Sequence, residues 1–338
     1  MPQQQGRRLS RRATIFAVVV LCCIAGAAAS VALAVVRAHT SHPPAGVRIH
    51  TGSSLAGAQG PQLLFRNAIT DKTFGKLAVA PLADPDHVRA VTGLSCDRVY
   101  YAHGSGLCLT ATSSFANSYE AKIFDSSFHV IKTLKLPGLP SRARISRDGK
   151  LGAMTTFVNG DSYNPGNFST RTSIVDLHTG DTIANVEDFR VYRDGEIFKR
   201  RNFNFWGITF AHDDDRFYAT LGSGKESYLV QGSIKSRTFH VLTTHLECPS
   251  LSPDETRIAF KQSLDSHGSW RIYVLDLKTM KRWPLAETKS VDDQVEWLDN
   301  NRILYWRDTG IWVVNADGSG KPALFVRQAS SPSVIRAA

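Results

Sequence analysis

A short motif recurs along this chain and constrains its fold more than any other feature. It consists of an acidic or polar turn, a basic residue, and an apolar run rich in β-forming residues. The clearest copy is CPSLSPDETRIAF at residues 248–260, and AHDDDRF at 211–217 aligns with SPDETRI at 252–258. Shorter copies begin at Ser95, Ser146 and Leu298. Repeats of strands and turns every ~40–50 residues are typical of a β-propeller.

Each repeat can be divided into four strands, and the copy that starts at Pro249 shows the division most clearly. The inner strand begins at Pro249, and further strands follow at 257–260, 270–275 and 281–285. Asp276 begins the turn before the outer strand, a position that suits Asp because its side chain bonds the backbone ahead. Such units lie at 62–88, 89–137, 138–190, 203–245, 246–288 and 289–327. The sequence therefore predicts an all-β fold, a six-bladed propeller of four-stranded antiparallel blades over residues 61–338.

The first of these units lacks an obvious inner strand. Residues 63–66 and 76–80 predict middle strands, with no strand pattern before them. Residues 331–336, SPSVIR, repeat the Pro-Ser opening at Pro140 and Pro249, where inner strands begin. We therefore expect the C-terminal strand to close the ring against the first blade, which would remove an exposed sheet edge. A disordered tail is the alternative.

The N-terminal part of the chain predicts a membrane segment. Residues 13–36 form an uncharged apolar run that follows a basic tail, residues 1–12. As a helix this run would rise ~36 Å at 1.5 Å per residue, which is enough to cross a bilayer. The positive-inside rule places the tail in the cytoplasm and the rest of the chain outside. We therefore predict a single-pass transmembrane anchor.

A cleaved signal peptide is the alternative for the same segment. Ala32-Leu33-Ala34 fits a small-residue cleavage site, and the arginines before the apolar run suit an export signal. The protein would then be secreted, so both interpretations place the propeller outside the cytoplasm. Residues 37–60 are rich in Pro, Gly, Ser and Ala and predict a flexible linker.

The composition limits the class of partner. A hydrophobic content of 42% and a charged content of 21% argue against wholesale disorder. The formal net charge is +10, but half of it comes from Arg7, Arg8, Arg11, Arg12 and Arg37. In the propeller, Lys199-Arg200-Arg201 is the one basic run, whereas a nucleic-acid-binding surface needs a clustered basic face. We therefore predict no nucleic-acid partner.

Cys96 and Cys108 flank the segment CDRVYYAHGSGLC, which predicts a strand, a Gly-rich turn and a returning strand. The two ends of such a hairpin lie side by side, so an oxidising compartment would let them form a disulfide. No CxxC or HxxxH spacing accompanies them, so we predict no metal site. Cys248 is left unpaired and is expected to be a buried strand residue.

The candidate binding residues are polar or aromatic and lie near the starts of predicted inner strands, which line the central channel of a propeller. They are Arg142, Arg144, Asn204, Trp206, Glu247, Asp292 and Asp293. Acids and bases that converge there could bind a charged peptide or a sugar acid, or form a structural ring of ion pairs. Trp206 and Trp297 could stack on a ligand or pack between blades. Asp292 and Asp293 with Glu296 could also hold Ca²⁺ or act as an acid–base pair.

Catalytic and cofactor motifs are not found. The chain has no G-x-S-x-G nucleophile elbow and no H-E-x-x-H zinc motif. The GSGK strings at 222–225 and 318–321 lack the spacing of a phosphate-binding loop and predict hairpin turns. We therefore predict no catalytic residue and no cofactor.

The form S-P-D-x-x-R-I-A-F at 252–260 resembles the repeats of TolB-like β-propellers. The longer strings GLPSRARIS, FSTRTSIVDL, NFNFWGITF, ECPSLSPD and VDDQVEWLD look like an actinobacterial branch described as TolB-like translocation proteins with a signal peptide. The resemblance covers about residues 61–335 and implies the propeller fold. It implies less about function, because similar propellers serve as binding proteins, accessory domains of peptidases and lyases.

Taken together, these features predict a membrane-anchored, extracytoplasmic propeller that acts as a binding module of the cell envelope. Its expected partner is an envelope or secreted protein or peptide, and the N-terminal helix contacts the membrane. The alternative is an enzyme, or a receptor for a carbohydrate or peptide, that uses the central channel.

Overall fold

The computed structural model describes residues 19–20, 22–27, 30, 44–52, 60–113, 118–158, 169–265 and 268–336. The chain divides into two compact units. One comprises Met1–His42 and Ile69–Phe74, and the other comprises Pro43–Ala68 and Gly75–Ala338. The strands described below belong to the second unit.

The second unit consists of short strands joined by turns. In chain order the strands are β1 (Arg48–Thr51), β2 (Gln62–Asn67), β3 (Lys76–Pro81), β4 (Val88–Ser95), β5 (Arg98–Ala102), β6 (Ser105–Ser113), β7 (Ser118–Phe124), β8 (Val130–Leu136), β9 (Leu139–Ile145), β10 (Leu151–Val158), β11 (Ser169–Asp176), β12 (Thr182–Asn185), β13 (Arg190–Arg193), β14 (Glu196–Ile197), β15 (Phe203–Phe210), β16 (Arg216–Ser223), β17 (Glu226–Ser233), β18 (Thr238–Thr244), β19 (Glu247–Leu251), β20 (Arg257–Ser263), β21 (Trp270–Asp276), β22 (Arg282–Pro284), β23 (Glu296–Trp297), β24 (Arg302–Arg307), β25 (Gly310–Asn315), β26 (Ala323–Arg327) and β27 (Ala329–Ile335). A 3-10 turn, Val186–Asp188, follows β12.

These strands form six sheets, which we number as blades 1 to 6. From the channel outward the blades are β27-β2-β3-β4-β1, β5-β6-β7-β8, β9-β10-β11-β12, β15-β16-β17-β18-β13-β14, β19-β20-β21-β22 and β23-β24-β25-β26. The inner strands contact one another in a closed cycle, β27 to β5, β9, β15, β19, β23 and back to β27. The fold is therefore an all-β six-bladed propeller, which confirms the predicted fold class.

The inner strand of blade 1 is β27, the last strand in the sequence. It pairs with β2 in antiparallel register, with Leu64 opposite Ser333. Its serines also bond to blade 2: the N–H of Val99 donates to Ser331 Oγ at 3.1 Å, and the N–H of Tyr101 donates to Ser333 Oγ at 3.0 Å. One strand therefore completes blade 1 and joins it to blade 2.

Two blades carry strands that the sequence pattern did not predict. Residues 48–51, inside the predicted flexible linker 37–60, form β1 and pair in parallel with β4. That part of the linker prediction is wrong, because four residues between Pro- and Gly-rich segments form a strand that extends blade 1. Residues 37–43 and 53–59 lie outside the described residues. In blade 4, β13 pairs in parallel with β18 and carries β14 as a short hairpin.

Most of the N-terminal prediction falls outside the described part of the chain. The basic tail, residues 1–12, is not among the described residues, and neither is most of the segment 13–36. The described members of that segment, residues 19–20, 22–27 and 30, are helical. Over the residues that can be described, no helix has both the length and the apolar character needed to span a bilayer.

The hydrophobic core lies between neighbouring blades, in six clusters that each join two adjacent sheets. Strand β20 shows how the sequence produces this arrangement. Ile258 and Phe260 belong to the cluster shared with blade 4, while Ala259 between them belongs to the cluster shared with blade 6. Alternate residues of a strand face opposite sides of its sheet, so a blade with two covered faces needs apolar residues in succession.

The predicted disulfide is confirmed. Cys96 and Cys108 are bonded, with their Cα atoms 5.4 Å apart. Cys96 lies between β4 and β5, and Cys108 lies on β6 opposite Val99. The bond therefore fastens the connection between blades 1 and 2 to the hairpin of blade 2. Cys248 is buried and free, as expected.

Candidate functional site

All six blades contribute to one cavity at an end of the central channel. This cavity, which we call the funnel, has a volume of about 680 Å³ and lies where the inner strands turn into the second strands. Each blade supplies part of the wall, for example Gln62, Tyr101, Arg144, His212, Leu251 and Glu296 in blade order. Its size falls within the ~300–1,000 Å³ range of ligand-binding cavities.

The floor of the funnel is a buried ion pair between blades 3 and 6. Arg144 Nη1 donates to Glu296 Oε2 at 2.9 Å, and the two side chains are 7% and 3% exposed. Arg144 Nη2 also donates to Ser250 Oγ at 3.0 Å and to a backbone carbonyl. The guanidinium lies 4.6 Å from the centre of the Tyr100 ring. Both charges have close partners, as a buried pair requires. We call Tyr100, Arg144, Ser250 and Glu296 the floor.

The chemistry of the floor suits binding better than proton transfer. Burial, together with the negative charge of Glu296, raises the pKa of Tyr100 to about 12. Its hydroxyl therefore stays protonated and donates to Glu296 Oε1 at 3.3 Å. The same carboxylate is already paired with Arg144, so the floor presents fixed hydrogen bonds rather than a free base.

The recurring turn motif forms part of the rim. His212, in the turn after β15, contacts Arg147 in the turn after β9 and Glu255 in the turn after β19. Glu255 also accepts a hydrogen bond from Arg216 at 3.1 Å. The fourth position of each turn has positive φ, at Gly149, Asp214 and Glu255. Three copies of one sequence motif therefore link blades 3, 4 and 5 around the mouth.

Four of the predicted residues lie elsewhere in the channel. Arg142 Nη2 is 3.7 Å from Asp292 Oδ1, and the carboxylate of Asp292 contacts Lys261 Nζ. Glu247 Oε2 lies 4.0 Å from the same Nζ. Asp293 instead accepts hydrogen bonds from backbone N–H groups. The structure thus brings Arg142, Glu247 and Asp292 together around Lys261, a residue the sequence analysis did not select.

The carboxylates around Lys261 have different pKa values. Burial raises the pKa of Glu247, and Lys261 only partly offsets it. For Asp292, burial acts in the same direction, but the charge and hydrogen bond of Lys261 together with the charges of Arg142 and Arg98 outweigh it, and the pKa falls below its ordinary value. Lys261 itself lies 3.9 Å from the centre of the Trp270 ring.

Asn204 and Trp206 lie away from the funnel. Asn204 Oδ1 accepts the N–H of Thr170 at 3.0 Å and lines a cavity of about 380 Å³ formed by blades 3 and 4. Trp206 packs over Gly222, where an added Cβ would lie 2.5 Å from the indole ring. Trp297 does line the funnel, but it is buried and donates through Nε1 to Ser250 O at 2.8 Å. The positions of Trp206 and Trp297 therefore favour a packing role.

The suggested calcium ligands do not converge. Asp292 contacts Lys261, Asp293 bonds to backbone N–H groups, and Glu296 is paired with Arg144. Across the described ranges, no group of three or more His, Cys, Asp or Glu side chains could hold a metal ion.

Tyr100 and Arg98 were not predicted as channel residues, although they become apparent when the inner strands are aligned. Arg98-x-Tyr100 on β5 occupies the same pattern as Arg142-x-Arg144 on β9. Alternate residues of a strand share one face, so both pairs point into the channel. The signal was weak because the turn copy at Ser95 is the faintest in the chain.

Comparison with known proteins identifies the fold. Neither a protein-family model nor a curated protein matches the chain. The crystal structure of TolB from Acinetobacter baumannii is similar, with 16% sequence identity and a TM-score of 0.57. The match covers 81% of this chain and 66% of that one, slightly under two thirds. The chain has a TolB-like β-propeller fold.

A chain in the crystal structure of a nidogen/laminin complex is also similar. The identity is 12% and the TM-score 0.55, over 81% of this chain and 98% of that one. Identities this low establish the fold alone. The TolB-like propeller predicted from the repeats is therefore confirmed, and its place in an actinobacterial branch stays a prediction.

Proposed function

We propose that this propeller is a binding module that holds a segment of a partner protein or peptide in the funnel. The observation that supports this most strongly is the convergence of all six blades on one cavity whose floor is already hydrogen-bonded. Walls held by six packed sheets change little when a ligand enters, so binding costs little ordering of the protein. Rigid walls and paired floor charges favour recognition without chemistry.

The charges at the mouth indicate what kind of segment would fit. Arg147, Arg336 and His103 line the funnel, whereas Glu255 already interacts with His212 and Arg216. The basic groups therefore exceed the available carboxylates, which favours an acidic or carboxylate-bearing segment. Apolar side chains such as Leu251 provide the remaining contacts.

We further propose that the module acts outside the cytoplasm, anchored to the membrane of the cell envelope. The apolar run 13–36 after a basic tail supports an anchor, with a cleaved signal peptide as the alternative. The Cys96–Cys108 disulfide supports an oxidising compartment. The partner is then an envelope or secreted protein or peptide.

Site-specific photo-crosslinking in cells tests the proposed funnel. A photoreactive amino acid replaces Leu251 in the wall of the funnel, and in a matched chain it replaces Leu324, which is exposed on β26 at the outer edge of blade 6. We expect a discrete crosslinked partner from position 251 and none from position 324. Arg147→Glu should reduce the yield at position 251 by about tenfold, since it reverses a charge at the mouth.

Equal crosslinking at the two positions would show that the funnel is not the binding site. An unchanged yield after Arg147→Glu would contradict the preference for an acidic segment while leaving the location intact. Fractionation of the same cells tests the anchor, because a secreted protein would leave the membrane fraction.

A further inference from the structure

Two arginines next to the floor donate to a single backbone oxygen. Arg98 Nε donates to Ser141 O at 2.8 Å, and Arg142 Nη1 donates to the same oxygen at 3.0 Å. Because both nitrogens bond the same oxygen, the two guanidinium groups lie close together. We call Arg98 and Arg142 the arginine pair. It brings two positive groups from blades 2 and 3 to one place.

The arginine pair forms a second layer of the channel, separate from the funnel. Arg98 precedes Tyr100 by two residues on β5, and Arg142 precedes Arg144 by two residues on β9. Alternate residues share a face of a strand and lie ~6.6 Å apart along it. The pair is therefore one layer farther from the funnel than the floor, and neither arginine lines the funnel.

The two layers differ in how their charges are compensated. Arg144 has a carboxylate at 2.9 Å, whereas the carboxylate of Asp292 lies 3.7 Å from Arg142 and also contacts Lys261. Arg142 is only 11% exposed, and its buried Nε has no hydrogen-bond partner among the residues that the structure describes. Its other neighbours are the thiol of Cys248, a weak acceptor, and Asp293, whose carboxylate accepts hydrogen bonds from backbone N–H groups. Unlike Arg144, Arg142 therefore has no carboxylate at hydrogen-bond distance among the described residues, and one of its donors is unpaired.

The two arginines differ in the direction of their pKa shifts. Burial acts to lower the pKa of Arg142, but Cys248, Asp293 and Asp292 together raise it above its ordinary value. Burial lowers the pKa of Arg98, and the charge of Arg142 lowers it further. Asp97 and Asp293 act on Arg98 in the opposite direction but do not overcome these effects. Two like charges that are partly removed from water repel each other, so a bound anion would stabilise the arrangement.

We propose that the arginine pair binds a small oxyanion, the carboxylate or phosphate group of a ligand. A guanidinium presents a planar fork of N–H donors that matches the oxygens of either group. Asp292 is 62% exposed beside Arg142, so the ligand reaches the pair from that side, and not through the funnel. This site is additional to the peptide-binding funnel and does not depend on it.

Thermal unfolding of the full chain at constant ionic strength tests the proposal. Sodium phosphate and sodium acetate are each titrated against sodium chloride, from about 0.1 to about 10 mM, where ligand binding and not bulk salt governs stability. We expect a rise in Tm that saturates, and the more effective anion identifies the group as phosphate or carboxylate. Arg98→Met and Arg142→Met should each weaken the apparent affinity by about tenfold or more.

Two further variants distinguish binding from general stabilisation. Arg302→Gln is the matched control, because Arg302 is exposed and paired with Asp299, and it should keep the full response. Arg142→Lys keeps the charge but loses the planar fork, so it should bind more weakly than wild type. A saturating response as large in Arg142→Met as in wild type, or no saturating response to either anion, would overturn the proposal.

Discussion

Glu187 is a buried carboxyl group whose negative charge lowers the stability of the folded protein. It follows β12 in the 3-10 turn, lines the cavity of blades 3 and 4, and accepts the N–H of Thr172 at 2.7 Å. Burial raises its pKa from the ordinary 4.5 to about 7, although the hydrogen bond from Thr172 works in the opposite direction. The folded protein therefore holds this proton more tightly than the unfolded chain does.

We predict that Glu187→Gln stabilises the protein at pH 8 but not at pH 4. Below pH 4.5 the carboxyl is protonated in both states and has no effect. Between pH 4.5 and about 7 the folded state binds more protons than the unfolded state, so the free energy of unfolding falls as the pH rises. Above pH 7 the carboxyl is charged in both states, and the full cost of burying that charge lowers the stability. Allowing for partial exposure, that cost is about 2 kcal/mol.

Chemical unfolding of wild type and Glu187→Gln at both pH values checks this expectation. Glu226→Gln, an exposed residue at the start of β17, serves as the control and should leave the pH profile unchanged. A gain in stability of equal size at pH 4 and pH 8 would mean that the effect of Glu187 is not one of charge.

Some contacts of single residues could not be predicted from the sequence. Arg144 was predicted in the channel because the repeats place it near the start of an inner strand. In the structure it lines the funnel and is the next-to-last residue of β9. Its partner Glu296 lies 152 positions later, and no local pattern connects them. The pairing exists because the closed ring brings β9 and β23 to one axis. Lys261 was not predicted as a channel residue either, because it lies on the second strand of its blade. Its amino group reaches the channel only because the side chain is long.

At the scale of the elements, a covalent bond fastens the hairpin β5–β6 to the connection that precedes it. The disulfide joins cysteines 12 positions apart. Its position was predictable because the intervening sequence contains a Gly-rich turn between two β-forming runs. The extra strands β1 and β13 were not predictable, because each is short and pairs in parallel with a strand about 40–50 positions away.

Reduction of the disulfide should lower the free energy of unfolding by about 2–3 kcal/mol, because a loop of this length then regains its freedom in the unfolded chain. Denaturant titrations with and without reductant measure the change. A Cys96→Ala, Cys108→Ala double variant should be less stable and indifferent to reductant. Cys248 is present in both proteins, so a response that persists in the double variant would assign the effect to another thiol.

At the scale of the whole molecule, the ring depends on β27. The number of blades followed from counting the repeats, since each repeat is one sheet. The order of strands within blade 1 could not be derived from local pattern alone, because β27 and β2 are separated by most of the chain. The Pro-Ser opening at Pro332 was the sequence signal for this pairing.

Deletion of residues 329–338 should leave blade 1 without its inner strand and lower the Tm of the propeller strongly. Addition of a synthetic peptide with the deleted sequence should restore part of the lost stability. A peptide with Ser331→Ala and Ser333→Ala should restore less, because the N–H groups of Val99 and Tyr101 lose their acceptors, each worth about 1 kcal/mol. An unchanged Tm after the deletion would show that β27 does not close the ring.

The pairing of β27 with β2 also has a consequence for biosynthesis. A ribosome makes β2 near the start of the propeller and β27 at its end, so the two are available together only when translation of the propeller is nearly finished. Until then, the hydrogen-bonding edge of β2 that β27 will cover is open to other chains. In a newly made chain this edge of β2 is protected from pairing with other chains only at the end of synthesis. A truncated chain that lacks β27 would keep the edge exposed.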